Sequence, residues 1–265
     1  MLYRETDMSH RSTDAADYQD VPCPIAAMAK DFPNGSRVPQ HRHARAQLVF
    51  AAHGVMVVST GQGSWVVPPQ RAVWMPPETE HAIRTWGQVA MRTLYVRADL
   101  AASLPAKCCV IAVSALLREL VLRAVELPLL YDEAGAAGRV MALILDEIRA
   151  LPVLPLHLPW PADARLKRLC AAIQHDPASA RTLDEWGRGV GASGRTLARL
   201  FRQETGMSFG AWRQQVRLVD ALGRLAAGQP VTDVALDLGY QSPSAFTSMF
   251  RRALGHAPTR YFMES

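Results

Sequence analysis

One short motif occurs twice in the C-terminal part of the chain, and this repeat limits the possible folds more than any other feature. The two copies read Ser193, Leu197, Phe201, Arg202, Gly206 and Ser242, Phe246, Phe250, Arg251, Gly255. Each pair of matching residues is 49 positions apart. A repeat that keeps the same internal spacing predicts two similar supersecondary units.

Each copy has the pattern of a helix-turn-helix. The serine can cap a helix because its side-chain oxygen accepts hydrogen bonds from the first backbone N–H groups, and the glycine suits a helix C-terminus. Phe201 follows Leu197 by one helical turn, so both lie on one buried face, and the second copy has the same spacing. A further amphipathic stretch precedes each serine, at 183–190 and at 231–238.

A short turn that contains a glycine separates the two helices of each copy. Helix, short turn and helix is the arrangement in which the second helix enters the major groove of DNA. An ordinary helical bundle would also produce the apolar stripe of a single copy. Two copies with matching caps and glycines favour a pair of DNA-reading units instead.

Residues 182–262 resemble the DNA-binding domain of AraC/XylS-type transcription regulators. The stretch ALDLGYQSPSAF at 235–246, followed by FRR at 250–252 and GHAP at 255–258, is similar to the signature of that family. The resemblance implies two helix-turn-helix units joined by one long helix, placed here at 209–227. It also implies that one chain reads two successive segments of the major groove, so the expected partner is double-stranded promoter or operator DNA.

The resemblance also identifies the positions that would contact DNA. These residues are Arg195, Ala198 and Arg199 in the first copy and Ser244, Ala245, Thr247 and Ser248 in the second. Arg195 and Arg199 are the strongest candidates for base contacts, because arginine is the commonest bidentate partner of guanine. Arg202 and Arg251 are candidates for contacts with the DNA backbone.

Two residues in this region depart from the family pattern. Gly187 stands where alanine is usual, and a glycine inside a helix should weaken it by about 1 kcal/mol. Ser248 stands where arginine is frequent, so the second copy is expected to read bases less strongly than the first.

The positive charge of the chain is concentrated in its C-terminal part. Residues 1–162 carry 15 basic and 15 acidic side chains, whereas residues 163–265 carry 14 basic and 9 acidic ones. A neutral part joined to a basic part is typical of a sensor attached to a protein module that binds a polyanion. The length of 265 residues also suits roughly two domains.

The N-terminus and the cysteines predict a cytoplasmic protein without a membrane partner. Residues 1–20 are polar, lack the apolar segment of a signal peptide, and are expected to form a flexible arm. No run approaches the roughly 20 apolar residues of a membrane span. The spacing of Cys23, Cys108, Cys109 and Cys170 fits neither a metal site nor a disulfide framework, so all four are expected to be reduced.

Short apolar stretches alternate with turn residues between residues 21 and 105. Candidate strands lie at 48–50, 55–58, 65–67, 72–75 and 92–96. Regular short strands separated by Gly, Pro and polar residues predict a barrel or a double-sheet jelly roll. The predicted fold class is therefore α+β with two domains, an N-terminal β-barrel with additional helices and a C-terminal all-α domain with two helix-turn-helix units.

A set of histidines lies inside the predicted barrel. His41 and His43 are two positions apart and would point to the same face of a strand, and Gln47 shares their parity. The residues that match the spacing of the first cupin motif are Gly35, His41, His43, Gln47 and Gly54. The chain thus resembles a cupin, and Pro76 and His81 match part of the second cupin motif.

The same resemblance shows where the chain departs from cupin enzymes. Gln47 occupies the position at which those enzymes carry a glutamate. In the second motif, Gln70 and Glu78 replace glycines and Thr85 replaces an asparagine. Loss of the glutamate removes an anionic ligand, so the affinity for a metal should fall.

Two interpretations of the histidines remain open. His41, His43 and His81 can hold a divalent transition metal, because three imidazoles bind Zn, Ni, Co, Cu or Fe. Alternatively, the histidines form hydrogen bonds in a metal-free pocket for a small organic effector. The expected pocket residues are His41, His43, Gln47, Trp65, Trp74 and His81, with Met75 and Trp86 as further candidates.

Residues 106–151 are expected to be helical, with apolar stripes at 116–125 and 140–151. Such stripes suit either a dimer seam or packing against the barrel. The family resemblance favours a homodimer, because many such regulators dimerise through helices that follow the cupin. Prolines concentrated in residues 152–162 predict a stiff, extended linker, so the DNA-binding domain is expected at 163–265.

These features together predict a sequence-specific transcription regulator of the AraC type that is controlled by a small-molecule or metal effector and is not an enzyme. RNA polymerase would be a further partner of an activator. The alternative is a metal-dependent cupin enzyme with an accessory DNA-binding domain, which Gln47 and the altered second motif disfavour. A third interpretation is a constitutive DNA-binding protein whose barrel only mediates dimerisation.

Overall fold

The computed structural model describes residues 12–151, 153–154 and 156–261. A short 3-10 helix at Ala15–Tyr18 precedes the first strand. The strands are β1 (Ile25–Phe32), β2 (Arg37–His41), β3 (Ala46–Thr60), β4 (Gly63–Val67), β5 (Arg71–Met75), β6 (His81–Val96), β7 (Cys109–Ala112), β8 (Val153–Leu154) and β9 (His157–Pro159). The helices are α1 (Ala98–Ala101), α2 (Ala115–Ala124), α3 (Ala136–Ala150), α4 (Ala164–His175), α5 (Leu183–Val190), α6 (Gly194–Thr205), α7 (Phe209–Ala226), α8 (Val231–Asp237), α9 (Pro243–Leu254) and α10 (Pro258–Tyr261).

The strands form one antiparallel sheet, here called the barrel. Its main path runs β1-β6-β3-β5-β7-β8, with β2 added to β6, β4 added to β3, and β9 added to β4. The long strands β3 and β6 pair along most of their length, with register shifts between Ala51 and Val55. Gly54 and Gly87 have φ of +78° and +70° near these shifts, where glycine tolerates the backbone conformation that a bulge requires.

Alternate residues of the strands contribute to two apolar clusters. In β5, Val73 and Met75 belong to one cluster, whereas Ala72 and Trp74 belong to another that includes residues of α2 and α3. The predicted β-rich domain with accompanying helices is therefore confirmed, with strands covered on both faces.

The C-terminal part confirms the predicted pair of helix-turn-helix units. Helices α5 and α6 form the first unit, and helices α8 and α9 form the second. The long helix expected at 209–227 is α7, which joins the two units. No helix within the described ranges is long and apolar enough to cross a membrane.

Two segments outside the predicted barrel contact it in the structure, the proline-rich segment at 152–162 and the described end of the N-terminal arm. Within the predicted linker at 152–162, β9 pairs with β4, and the backbone N–H of Trp160 donates to the Gln62 carbonyl at 3.1 Å. Pro152 and Pro155 lie outside the described residues. β9 thus adds to the sheet at β4, so this part of the predicted linker is extended and is paired with the barrel.

The predicted arm at 1–20 falls partly outside the described residues, which begin at residue 12. The Asp14 side chain caps the 3-10 helix of the described end. Tyr18 is buried and stacks on Tyr95 of β6 with ring centroids 5.9 Å apart. Residues 12–20 therefore pack against the barrel and are not free of it.

Candidate functional site: two reading helices and a histidine cluster

Helix α6 presents a polar face because its apolar residues point into a separate core. The Ser193 hydroxyl accepts a hydrogen bond from the Thr196 N–H at 3.2 Å, and Gly206 ends the helix in the left-handed conformation. Leu197 and Phe201 are fully buried. The exposed residues of α6 include Arg195, Ala198, Arg199 and Arg202, which are the positions expected to contact DNA.

Helix α9 is built in the same way but carries a different surface. The Ser242 hydroxyl accepts from the Ala245 N–H at 3.2 Å, and Gly255 is the left-handed C-cap. Phe246 and Phe250 are fully buried. Of the expected contact residues, Ser244, Ala245, Ser248 and Arg251 are exposed and Thr247 is half-buried.

An open groove lies between α6 and the start of α7. It is lined by Ala198, Arg199, Arg202, Gln203, Ser208 and Phe209. The Arg199 guanidinium donates to the Gln203 side-chain oxygen at 3.2 Å, and Arg202 stands on the next turn of the helix. Two guanidinium groups on one open face can bind phosphate oxygens or the acceptor edge of guanine.

The first unit needs glycine at 187, which corrects the expectation that Gly187 simply weakens α5. A Cβ at Gly187 would lie 2.2 Å from the Ala192 carbonyl oxygen. The second unit carries Ala235 at the equivalent place, where its carbonyl accepts from the Tyr240 N–H just as that of Gly187 accepts from Ala192. The turn to the next capping serine is one residue shorter in the first unit.

The histidines expected to form a site come together in the structure. His41 ends β2, His81 begins β6 and pairs with it, and His43 follows in the loop before β3. The ring centroids are 4.3 Å apart for His41 and His81, 4.8 Å for His41 and His43, and 5.4 Å for His43 and His81. One potential ligand atom from each ring lies within 4.8 Å of the others.

The surroundings keep these imidazoles available as ligands. Burial, with smaller contributions from the neighbouring His41 and His81, lowers the pKa of His43 to about 4. Burial also lowers the pKa of His81 to about 4, against the opposing effect of the Thr79 carbonyl. Both rings are thus neutral at pH 7, the state that a metal ligand needs.

Backbone carbonyls fix which ring nitrogen faces the cluster. The Nδ1 of His41 lies 2.7 Å from the Pro39 carbonyl oxygen, and that of His81 lies 2.8 Å from the Thr79 carbonyl oxygen. A carbonyl partner keeps the proton on Nδ1, which leaves Nε2 as the lone-pair donor of a neutral ring. The Nε2 atoms of His43 and His81 are buried and have no hydrogen-bond partner within the described residues.

Gln47 contributes a further open acceptor, and its partner Tyr95 contacts His43. Its amide nitrogen donates to Thr93 Oγ1 at 3.0 Å and to the Tyr95 hydroxyl at 3.4 Å. Because Thr93 Oγ1 itself donates to the Leu48 carbonyl, it accepts from Gln47 and fixes the orientation of the amide. The Gln47 Oε1 is buried without a partner within the described part of the chain.

The tryptophans expected to line the pocket lie elsewhere. Trp74 points to the cluster that includes α2 and α3, and its indole donates to the Pro105 carbonyl at 2.8 Å. Trp65 stacks on His157 with ring centroids 4.4 Å apart, and Trp86 packs against α7. Strands that are buried on both faces show no alternation of apolar and polar residues. The sequence therefore did not reveal to which face of the sheet these tryptophans point.

Sequence reasoning missed two aromatic neighbours of the cluster. Tyr95 contacts His43 with ring centroids 5.1 Å apart, and Tyr18 stacks on Tyr95 from the N-terminal segment. For Tyr95, the available signal was its position two residues after Thr93 on β6, which places both side chains on the same face of the strand. No local pattern indicates that Tyr18 reaches the barrel.

Comparison with known proteins decides the family. A profile described as the AraC-like ligand binding domain matches residues 23–186, and a helix-turn-helix domain profile matches residues 186–264. The chain belongs to the AraC family of transcription regulators. It is a DNA-binding transcription regulator with an N-terminal ligand-binding domain, as the resemblance predicted.

The chain is similar to two named regulators and, more distantly, to one solved structure. The HTH-type transcriptional regulator NimR of Escherichia coli K12 is 34% identical over 84% of this chain and 81% of that protein. The regulatory protein SoxS of the same strain is 35% identical over 36% of this chain and 91% of SoxS. The structure of unsaturated fatty acid bound ToxT from Vibrio cholerae strain SCE256 covers 90% of this chain and 95% of its own, with a TM-score of 0.39 and 10% identity.

Proposed function

We propose that the effector of this regulator is a divalent transition metal held by His41, His43 and His81. The observation that supports it is the pair of buried Nε2 atoms, on His43 and His81, without a partner in the described residues. Unsatisfied buried polar atoms are costly, and a ligand that accepts their lone pairs removes this cost. Two of the three rings also have the backbone carbonyl partner that is typical of metal-binding histidines.

The donor set fits such a metal with a small adjustment. Metal–nitrogen bonds of roughly 2.1 Å allow two ligands to be no more than about 4 Å apart. Ligand atoms spread over as much as 4.8 Å would therefore move together on binding. Neutral imidazoles with an amide oxygen nearby favour ions such as Zn, Co, Ni, Cu or Fe over Mg or Ca.

Direct titration tests the metal proposal. Full-length protein is titrated with Co²⁺, and His81→Ala is compared with His53→Ala, an exposed histidine of the same barrel. We expect one ion per chain for wild type and His53→Ala, and at least tenfold weaker binding for His81→Ala. Equal behaviour of the two variants would refute the site. Binding of an organic effector without metal would favour the metal-free pocket, and turnover with bound iron would favour the enzyme.

We further propose that Arg195 and Arg199 read bases in one block of the operator, with Ala198 shaping that contact and Arg202 binding phosphate. In the second block, Ser244, Ala245, Thr247 and Ser248 contact base edges and Arg251 binds phosphate. All of these residues except the half-buried Thr247 are exposed on α6 and α9, which supports this assignment. The protein then acts by binding and not by catalysis, in the cytoplasm, where the chromosome lies. RNA polymerase is its further partner if it activates transcription.

We also propose that successive segments of the chain have different functions and that the protein is a homodimer. Residues 21–105 sense the effector, residues 106–151 mediate dimerisation, and residues 163–265 read DNA. Leu116 of α2 and Leu143 of α3, on helices that pack together, are 49% and 41% exposed. A second copy would cover them.

Light scattering tests the dimer. Leu116→Glu combined with Leu143→Glu should give monomers, whereas the control Leu130→Glu, a leucine outside helices that is 55% exposed, should stay dimeric. Wild type that scatters as a monomer at all concentrations would refute the proposal.

A further inference from the structure

The two helix-turn-helix units are attached to the barrel in different ways. The core of the second unit, including Phe246 and Phe250, belongs to the same contiguous apolar cluster as the barrel interior. The core of the first unit, including Leu197 and Phe201, forms a separate cluster. That cluster reaches the sheet through β9, where Leu158 belongs to it and the Pro159 carbonyl accepts from the Trp212 indole at 2.9 Å.

A close contact between β6 and α7 holds the second unit. A Cβ at Gly223 of α7 would lie 2.8 Å from Cδ1 and 2.9 Å from Cγ of Trp86. The indole therefore packs directly on the backbone of the helix, and the Arg84 guanidinium lies 4.7 Å from the ring centroid. Glycine inside a helix is unfavourable by roughly 1 kcal/mol, and here it permits the approach of the two elements.

The next residue of β6 meets the next turn of α7. A Cβ at Gly87 would lie 2.6 Å from the Ala226 carbonyl oxygen. The Gly87 N–H donates to the Asn34 side-chain oxygen at 2.9 Å, which anchors this bend of the strand. Two successive turns of the helix are thus in backbone contact with one bend of the barrel.

The far end of the second unit is also fixed to the barrel. The Tyr261 hydroxyl of α10 donates to the Pro69 carbonyl at 3.4 Å, in the turn between β4 and β5. The Tyr261 ring packs against the ring of Phe250 of α9, with centroids 5.7 Å apart. The second unit therefore has two attachments on the barrel, one on each side of its core.

The contact lies on the strand that carries a histidine of the cluster. His81 and Trp86 are both in β6, five residues or roughly 17 Å of strand apart. His81 pairs with His41 of β2 and with Thr60 of β3, and Trp86 pairs with Val55 of β3. Any movement that draws the histidines together acts on this paired ribbon, because interiors are packed too densely to absorb it locally.

We propose that Trp86, Gly87, Gly223 and Ala226 form a latch through which the barrel holds the second unit, so that occupation of the histidine cluster is transmitted to α9 rather than to α6. The transmission rests on the proposed metal site, whereas the latch does not. The first unit, attached through β9, adjusts independently to its segment of DNA.

Hydrogen exchange of the full-length protein tests the latch with a pair of matched variants. Gly223→Ala and Gly210→Ala both remove a glycine from α7, but a Cβ at Gly210 meets nothing within 4 Å. We expect Gly223→Ala to speed exchange of residues 231–254 about tenfold while residues 183–205 keep their rates. Gly210→Ala should speed neither. Faster exchange in both units, or in neither, with Gly223→Ala would overturn the latch.

A third variant distinguishes loss of the contact between Trp86 and Gly223 from a general loss of stability. Trp86→Ala removes the ring that the new methyl group would meet. The double variant Trp86→Ala with Gly223→Ala should therefore exchange like Trp86→Ala alone, because contacting residues are not additive. Additive effects of the two substitutions would contradict a direct contact.

Zn²⁺ serves as the probe of transmission, after calorimetry has measured its binding. We expect Zn²⁺ to slow exchange of residues 231–254 in wild type and Gly210→Ala, but not in Gly223→Ala. Bound Zn²⁺ without any change in residues 231–254 of wild type would overturn the transmission. No Zn²⁺ binding would refute the metal site and the transmission with it, and the metal-free comparison of the two glycine variants would still decide the latch.

Discussion

The first and second helix-turn-helix units have the same framework but different surfaces and supports. Each reading helix begins at a capping serine whose hydroxyl lies 3.2 Å from a backbone N–H, and each ends at a left-handed glycine. The shared residues set the local geometry. Arg199 of the first unit and Ser248 of the second occupy matching positions, so the framework repeats while the DNA-facing chemistry does not.

The two units differ more in how they are attached to the barrel than in their exposed surfaces. The first unit has its own core around Phe201, whereas Phe250 of the second unit packs in the cluster shared with the barrel. A unit with its own core can move as a body, while a unit that shares a core follows its neighbour. Most of the arginines proposed to contact DNA are thus on the unit with its own core, whereas the unit that shares the barrel core carries the proposed attachment to the sensor.

The largest expected effect comes from removing one core ring in each unit. Phe201→Ala and Phe250→Ala should each destabilise their unit by about 3–5 kcal/mol, since each removes a fully buried side chain. Because the second core is shared, Phe250→Ala should also lower the unfolding temperature of the barrel, and Phe201→Ala should not. Calorimetry combined with hydrogen exchange of the barrel strands distinguishes the two. Equal effects of both variants on the barrel would mean that the units are attached alike.

Affinity for DNA should depend unequally on matching positions. Arg199→Ala should cost about 1–3 kcal/mol on the preferred site and relax specificity at one position. Ser248→Ala should cost less, because it removes a small neutral group. Gel-shift titration at fixed salt measures both. An equal loss for Arg199→Ala on all sequences would make Arg199 a phosphate contact.

The shorter turn of the first unit predicts opposite outcomes for two glycines of α5. Gly187→Ala should destabilise the first unit by about 1–3 kcal/mol, because the methyl group meets the Ala192 carbonyl. Gly189→Ala should stabilise it by about 0.5–1 kcal/mol, since nothing lies within 4 Å of its Cβ. Denaturant unfolding followed by circular dichroism measures the difference. A stabilising Gly187→Ala would show that the turn can relax.

The smallest effects should come from the caps, where the units are alike. Ser193→Ala and Ser242→Ala should each cost about 1 kcal/mol, because each removes one hydrogen bond to a backbone N–H. Matched thermal unfolding curves measure the two losses. A large inequality between them would mean that the repeated framework is not energetically equivalent.

Local signals explain what the sequence predicted well. The capping serines and C-terminal glycines located α6 and α9, and the family resemblance located α7 at nearly its observed bounds. The spacing of His41, His43 and His81 predicted a cluster, and the sheet pairs β2 with β6 so that these rings meet. These features depend on residues close in sequence or on a recognisable motif.

Long-range contacts were beyond such signals. Gly223 looks like an ordinary helical glycine until Trp86, 137 positions earlier, is found against it. The pairing of β9 with β4 was not predicted, because the proline-rich composition of this segment indicated a linker. Trp74 was expected beside the histidines, but a strand covered on both faces shows no alternation that would reveal its direction.

The most direct test of the account is genomic SELEX at fixed salt with wild type, Arg199→Ala and Ser248→Arg side by side. The account predicts a site of two blocks about one helical turn apart, with Arg199→Ala altering one block and Ser248→Arg altering the other. Enrichment of no sequence above background, with binding that vanishes as salt rises, would mean that the basic part binds phosphate without reading sequence. That result would contradict the two-unit reader.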